Sequence, residues 1–205
     1  MTTKISFDLM LRRVTALRKS WKVFVFALLL GSCLCFAKAQ EGGEVTKENW
    51  REHPKIVEVR KIYQSVVAGR KRLKIRRRTF EYCEPYEDTV RIIGTDARGR
   101  VRLYQREGGS EDSALTFEHY YDEAGRLRFV LITGGAVSGS KVEHRIYFDA
   151  EGKRIWEIRS FTEPGYTWPE VWPDEELQMS DPEAKFMSQS PCPEVKARAR
   201  RRGRS

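Results

Sequence analysis

Histidine and cysteine are scarce, with 3 His and 4 Cys among 205 residues. His53, His119 and His144 follow no metal-ligand spacing, so no metal site is expected. Two of the cysteines, Cys33 and Cys35, lie in a stretch read below as a removable leader, which leaves Cys83 and Cys192. Long apolar runs are also missing: Val23 to Ala37 is uncharged for 15 residues, short of the roughly 20 that a spanning helix needs. Two glycine-rich loops, Gly108-Gly109-Ser110 and Gly134 to Ser140, lack the Lys-Ser/Thr and the opening helix of a phosphate cradle. With no Ser/His/Asp arrangement and no nucleotide motif either, neither a catalytic group nor a cofactor is expected.

The first 39 residues have the build of a signal peptide. Basic residues, among them Arg12, Arg13, Arg18, Lys19 and Lys22, precede the apolar run, and Ala37-Lys38-Ala39 offers the small-x-small pattern of a cleavage site. The expected product begins at Gln40 and is exported, to the periplasm or beyond, with no stable transmembrane segment. Leu30-Gly31-Ser32-Cys33 resembles a lipobox, but the apolar Leu34 to Ala37 behind it argues against a lipid on Cys33. Arg12-Arg13 lacks the apolar residues that follow a twin-arginine signal. The leader removes 7 basic residues and 1 acidic, and Val195 to Ser205 holds 6 basic and none acidic. From totals of 38 and 29, the body therefore keeps 25 basic against 28 acidic residues. The high pI belongs to the chain ends and does not imply nucleic acid as a partner of the body.

Three turns organise that body. TDARGRV, YDEAGRL and FDAEGKR place Asp96, Asp122 and Asp149 three residues before Gly99, Gly125 and Gly152. An Asp carboxylate accepts the amide two residues on, and a following Gly takes the left-handed conformation that closes a hairpin. Spacings of 26 and 27 residues between the Asp positions predict an antiparallel meander. Seven strands are expected: Leu73 to Tyr82, Thr89 to Thr95, Arg100 to Arg106, Leu115 to Tyr121, Arg126 to Thr133, Val142 to Phe148 and Lys153 to Phe161. Counting outward from the turns sets His119 opposite Phe129, Phe117 opposite Leu131, Ile146 opposite Trp156 and His144 opposite Ile158. It also sets Arg145 against Glu157 and Glu143 against Arg159 on a wet face, with Phe129 near Ile146. His119 and His144 then lie on the apolar face as core residues.

Ahead of the sheet, Thr46 can cap a short helix interrupted by Pro54. A stronger helix follows from Pro54 to Ala68, with Ile56, Val59, Ile62, Tyr63 and Val66 on one stripe and Gly69 as its stop. That stripe has only a sheet face to cover. The fold class is thus α+β: an open, twisted or partly curled meander of about seven strands with one N-terminal helix on one face. Residues 40–69 are lead-in and helix, 70–161 sheet, 162–194 an irregular aromatic and proline-rich arm, and 195–205 a disordered basic tail. Two cysteines in an exported chain point to a Cys83 to Cys192 disulfide that pins the arm to the start of the sheet. Closing its loop of 108 intervening residues is worth up to about 4 to 5 kcal/mol in the entropic picture.

YDEAGRL and its echoes resemble the YD repeats of RHS-type and teneurin proteins, which implies hairpin units that spiral in tandem arrays. Segments such as FEYCEPYEDT and EHRIYFDAEGKRIWE also resemble exported bacterial proteins, which implies no activity. The favoured function is non-enzymatic: an envelope interaction or small-ligand-binding protein. One alternative is an envelope polysaccharide hydrolase, in which carboxylates from Glu84, Glu87, Glu111 and Asp112 flank a sugar stacked on Trp168 or Trp172. If loops at one sheet end meet the aromatic arm, these residues line a ligand cleft. The other alternative is an anionic-polymer binder using the tail and Arg70 to Arg78, which has seven basic residues in nine. The competing reading of that run is a helix end leading into a charge-guarded edge strand.

Overall fold

The computed structural model describes residues 43–83, 88–162 and 165–195. The expected leader with Cys33 and Ala39, the expected tail from residue 196, and Glu84 and Glu87 lie outside these. After a single turn in which Trp50 N donates to Thr46 O, helix α1 spans Pro54–Gly69. His53 caps it: Nδ1 accepts the Lys55 amide, so Nε2 carries the proton and donates to Gly43 O at 2.8 Å. A 3-10 turn, Arg70–Arg72, leads into the sheet.

Seven strands follow in chain order: β1 Lys74–Thr79, β2 Asp88–Thr95, β3 Val101–Gly109, β4 Ser113–Tyr121, β5 Leu127–Ala136, β6 Lys141–Phe148 and β7 Arg154–Thr162. Each is antiparallel to its neighbour, and the sheet is open, with β1 and β7 as its edges. The three expected reversals hold the meander in place. Gly99, Gly125 and Gly152 have φ of +79°, +79° and +83°. Each Asp accepts the amide two residues on, at 2.9 Å for Asp96, 2.8 Å for Asp122 and 3.1 Å for Asp149. Burial opposes the charge on Asp122, but the amides of Arg126 and Ala124 and the Arg126 guanidinium outweigh it and hold its carboxyl below the ordinary range.

Register departs from simple counting. Tyr121 pairs with Leu127 as expected, but Tyr120 then pairs with Phe129, so Arg128 is an extra residue, a β-bulge. The same happens at Arg102, between the pairs Thr95 with Val101 and Gly94 with Leu103, and at Ile155, between Phe148 with Arg154 and Tyr147 with Trp156. One inserted residue moves every later pair by one. His119 therefore faces Val130, Phe117 faces Ile132, Ile146 faces Glu157 and His144 faces Arg159. Phe129 lies opposite Tyr147, with ring centroids 4.9 Å apart, and Arg145 sits between Leu131 and Ile158 at an exposed margin of that face. The opposed charges expected at Arg145 with Glu157 and Glu143 with Arg159 are not formed.

The helix lies where expected. Ile56, Val59 and Val66 pack on Leu103, Tyr120, Phe129 and Tyr147, with Trp156 and Ile158 alongside. Tyr63 sets its edge on Tyr120 and Phe129 at 4.9 and 5.1 Å. The opposite face is apolar too. Phe117, Val130, Ile132, Ile146 and Phe148 are covered by Leu177 and Trp172, while Ile93, Tyr104 and Tyr121 are covered by Phe186. Leu177 ends the short helix α2, Asp174–Leu177, and Phe186 belongs to α3, Pro182–Met187. His119 and His144 are buried on this second face, away from the helix, because the bulges turn them there.

A disulfide joins Cys83 to Cys192 (Cα to Cα 5.7 Å) and holds the arm to the end of β1, where Val195 N also donates to Thr79 O. No helix among the described residues is long and apolar enough to cross a membrane.

The bulge arginines tie one reversal to the next. Arg102 Nε donates to Tyr121 O at 3.0 Å and Arg128 Nε to Phe148 O at 3.3 Å, in each case the residue just before the next turn Asp. Arg128 is 2% exposed along its side chain, and Nη1 reaches both Asp122 (3.4 Å) and Glu58 of the helix (3.0 Å). Arg128→Ala is expected to lower unfolding free energy by about 3 kcal/mol. Arg102→Ala, at a wetter site, should cost about 1 kcal/mol. Urea denaturation measures both, and the reverse order would contradict the ranking. Reducing the disulfide, which spans 109 positions, should cost up to about 4 kcal/mol, read as a fall in Tm.

Candidate functional site

The arm does not seal the second face completely. Between it and the ends of β2, β3 and β4 lies an open cleft of about 710 Å³. Its floor is Arg91, Arg106, Leu115 and Phe117, and its walls come from Tyr166 to Pro169, Trp172 and the segment Ser188 to Pro191. The β3 to β4 connection contributes Gly108, Gly109, Ser110 and Ser113, with Ser113 Oγ 2.7 Å from Tyr166 Oη.

The floor carries an unusual row. Arg78 pairs directly with Arg91, Arg91 with Arg106, and Arg106 with Phe117. Like charges opposite each other destabilise a sheet, and this row sets three guanidinium groups side by side. Each has its own support. Arg78 is neutralised by Glu194 (2.8 Å) and donates to Phe186 O and Ser188 O. This ion pair raises Arg78 above the ordinary range and holds Glu194 below it, with Arg91 adding to the latter. Arg106 lies over Phe117, its guanidinium carbon 3.6 Å from the ring centroid. Arg91 is only 5% exposed, and it is met by neutral oxygens: Nη1 donates to Ser188 O (2.9 Å), Ser188 Oγ (3.0 Å) and Lys185 O (3.3 Å). Its Nε has no hydrogen-bond partner among the described residues. Lys185 adds a third cation to the lining, and Glu176 is the one carboxylate there among the described residues.

Of the residues expected to line a cleft, the structure brings Trp168 and Trp172 to this one. Trp168 is buried and donates its indole N–H to Ser140 Oγ at 2.9 Å, while Trp172 stands edge-on to Phe117 at 4.9 Å. Glu111 and Asp112 sit on the neighbouring hairpin loop and do not line it. Asp112 is engaged locally, accepting from Ser110 Oγ at 2.6 Å. Glu84 and Glu87 fall outside the described residues. A carboxylate pair of the glycosidase kind is therefore not assembled here by described side chains.

Much of the basic run is spent internally. Arg70 holds Glu118 and Gln105, Arg76 holds Glu183, and Arg78 holds Glu194. Arg91, Arg106 and Lys185 did not stand out in the sequence. The available signal was an arginine inside an otherwise apolar strand, TVRIIGT. Among the described residues no three potential ligands gather as a metal site. The chain matches no family model, no curated protein and no solved structure.

Next to the cleft floor, His119 is 1% exposed, its ring 5.8 Å from Tyr104. Burial, with the Arg106 charge adding to it, lowers His119 to about 3, against a small opposing interaction with the Tyr104 backbone. His144 is lowered as well, by burial, against the pull of Glu157 at 3.4 Å. Between the unfolded value of about 6.5 and the folded value, the unfolded chain binds more protons, so stability falls on acidification. His119 alone should remove on the order of 3 kcal/mol between pH 7 and pH 4. Tm measured from pH 7 to pH 4.5, above the titration of most carboxylates, should fall steadily, and His119→Leu should flatten that part of the profile.

Proposed function

We propose that this is an exported, non-enzymatic binding protein for a small anionic molecule, and that the cleft beneath the arm is where the molecule sits. The observation that carries the reading is the cross-strand row Arg78, Arg91, Arg106. The hydrogen bonds of Arg91 go to neutral oxygens, and the one carboxylate near it, Glu194, is already paired with Arg78, so one negative charge is shared between two guanidinium groups, a setting suited to a carboxylate or phosphate. Phe117 and Trp172 present ring faces and edges beside that charge, which suits a ligand with an apolar or ring-bearing part attached to its acid group. Lys185 at the rim strengthens attraction on approach. The disulfide agrees with folding in an oxidising compartment, as an exported chain requires.

The test uses phenyl phosphate and benzoate as anionic probes and benzyl alcohol as their neutral counterpart. The two anions should raise Tm and titrate calorimetrically, with affinity falling as salt rises, and benzyl alcohol should do neither. Arg91→Gln should weaken binding about 10- to 100-fold, the equivalent of one charge-assisted hydrogen bond. Lys185→Ala, at the exposed rim, should weaken it less. Equal binding of benzyl alcohol, or no response to any probe, would overturn the reading.

A further inference from the structure

The two edges of the sheet are finished differently. At β1 the side chains are basic, Arg76 and Arg78 are held by Glu183 and Glu194, and the arm runs beside the strand end. There Glu81 N donates to Pro193 O and Val195 N to Thr79 O, both at 2.9 Å. At β7 the arm meets side chains only: Arg154 donates to Asp174 and to Trp172 O, and Arg159 donates to Glu170 O. Among the described residues, the backbone of Arg154–Thr162 bonds to β6 and to no other segment. An uncovered strand of 9 residues presents a row of amides and carbonyls to any strand that can match it.

The side chains of β7 say which strand matches. In an antiparallel pairing of β7 with itself, a residue must face one on the same side of the sheet, so the two-fold axis passes through a residue position. Centring on Glu157 opposes two carboxylates, and centring on Arg159 opposes two guanidinium groups. Centring on Ile158 sets Glu157 of each copy opposite Arg159 of the other, sets Trp156 opposite Ser160, and brings the two half-buried Ile158 side chains together. Glu157 and Arg159 do lie on one side, since they face Ile146 and His144, which both belong to the arm-covered face. Trp156 and Ile158 lie on the helix side. The strand is therefore complementary in charge to its own copy in one register.

We propose that the chain associates with a second copy of itself along β7, antiparallel and centred on Ile158, so that one sheet runs continuously through both copies. The axis is perpendicular to the sheet. Both α1 helices then lie on one side and both clefts open on the other, which presents two sites to one surface. The association does not depend on what the cleft binds.

Sedimentation velocity of the full, disulfide-bonded chain should show a concentration-dependent dimer. Glu157→Arg should weaken it roughly tenfold or more by opposing like charges at both symmetric positions. Arg159→Glu should do the same. The double variant Glu157→Arg with Arg159→Glu restores opposite charges and should recover the dimer. Hydrogen exchange reads the same contact in the unaltered chain, where the outward amides of β7 should slow as concentration rises. A monomer at every concentration, a dimer indifferent to single and double reversals alike, or fast exchange along β7 at dimer-forming concentrations would overturn the proposal. Near-UV circular dichroism of each variant separates loss of association from loss of fold.

Discussion

The sheet depends on a guanidinium that reaches forward from one chain reversal to the next. At each turn an Asp gathers the amides of its own loop, a local arrangement that would close a hairpin anywhere. The bulge arginine makes the hairpins one structure. From Arg102 and Arg128, Nε reaches the carbonyl of Tyr121 or Phe148, and Nη1 turns back toward Asp96 or Asp122. A planar fork can satisfy two such directions at once, which a lysine ammonium on its flexible stem does less well. Arg128 extends the linkage to Glu58, so the helix is registered against the same point that registers the strands. At the third turn the bulge residue is Ile155, and no further reversal follows for it to hold.

The bulges also explain why a helix alone cannot complete the core. Tyr120 and Tyr121 are both buried, as are Tyr147 and Phe148, although neighbours on a strand point to opposite faces. Such pairs require cover on both sides. The helix supplies one cover and the arm the other, with Leu177 and Phe186 inserted as its apolar contacts and Cys192 fixing its far end. The arm is thus a third layer of the fold, although among the described residues it contains only two short helices.

How much of this could be read from residue types follows the range over which each choice acts. Asp and Gly at the turns carry their geometry in their own side chains or lack of one, so the reversals, the strand ends beside them and the antiparallel meander were legible; the far ends of β1, β3, β4 and β5 fall two or three residues from their expected places, and whether the sheet closes on itself was not legible. The helix was legible through its stripe and its proline, and the cysteine pair through its scarcity. The bulges were not, because nothing in the local sequence marks Arg102 or Arg128 as the inserted residue; their roles lie in partners 19, 20 and 70 positions away. Pairings counted past those points therefore slipped by one, and both histidines changed face. The cleft was only half legible: aromatic Trp168 and Trp172 advertised themselves, whereas Arg91, Arg106 and Lys185 meet only after the arm folds back.

The position of that cleft follows from a conflict that the sheet elsewhere avoids. Among all the described cross-strand pairs, Arg78 with Arg91 and Arg91 with Arg106 are the only like charges set directly opposite each other. A structural purpose would be served better by an apolar residue at Arg91, since Ile93, two positions along on the same face, is buried against apolar neighbours. Holding the guanidinium there requires Ser188 and Lys185 to turn their oxygens toward it, and it requires the arm to leave space above it. Places where a sequence breaks a local rule and the surroundings are arranged to tolerate it are where function is concentrated. Glu194 relieves the conflict at one end of the row and the Phe117 ring supports the other. On the proposed reading an anion in the cleft would relieve it at the centre, and binding would then stabilise this sheet end through the same three side chains.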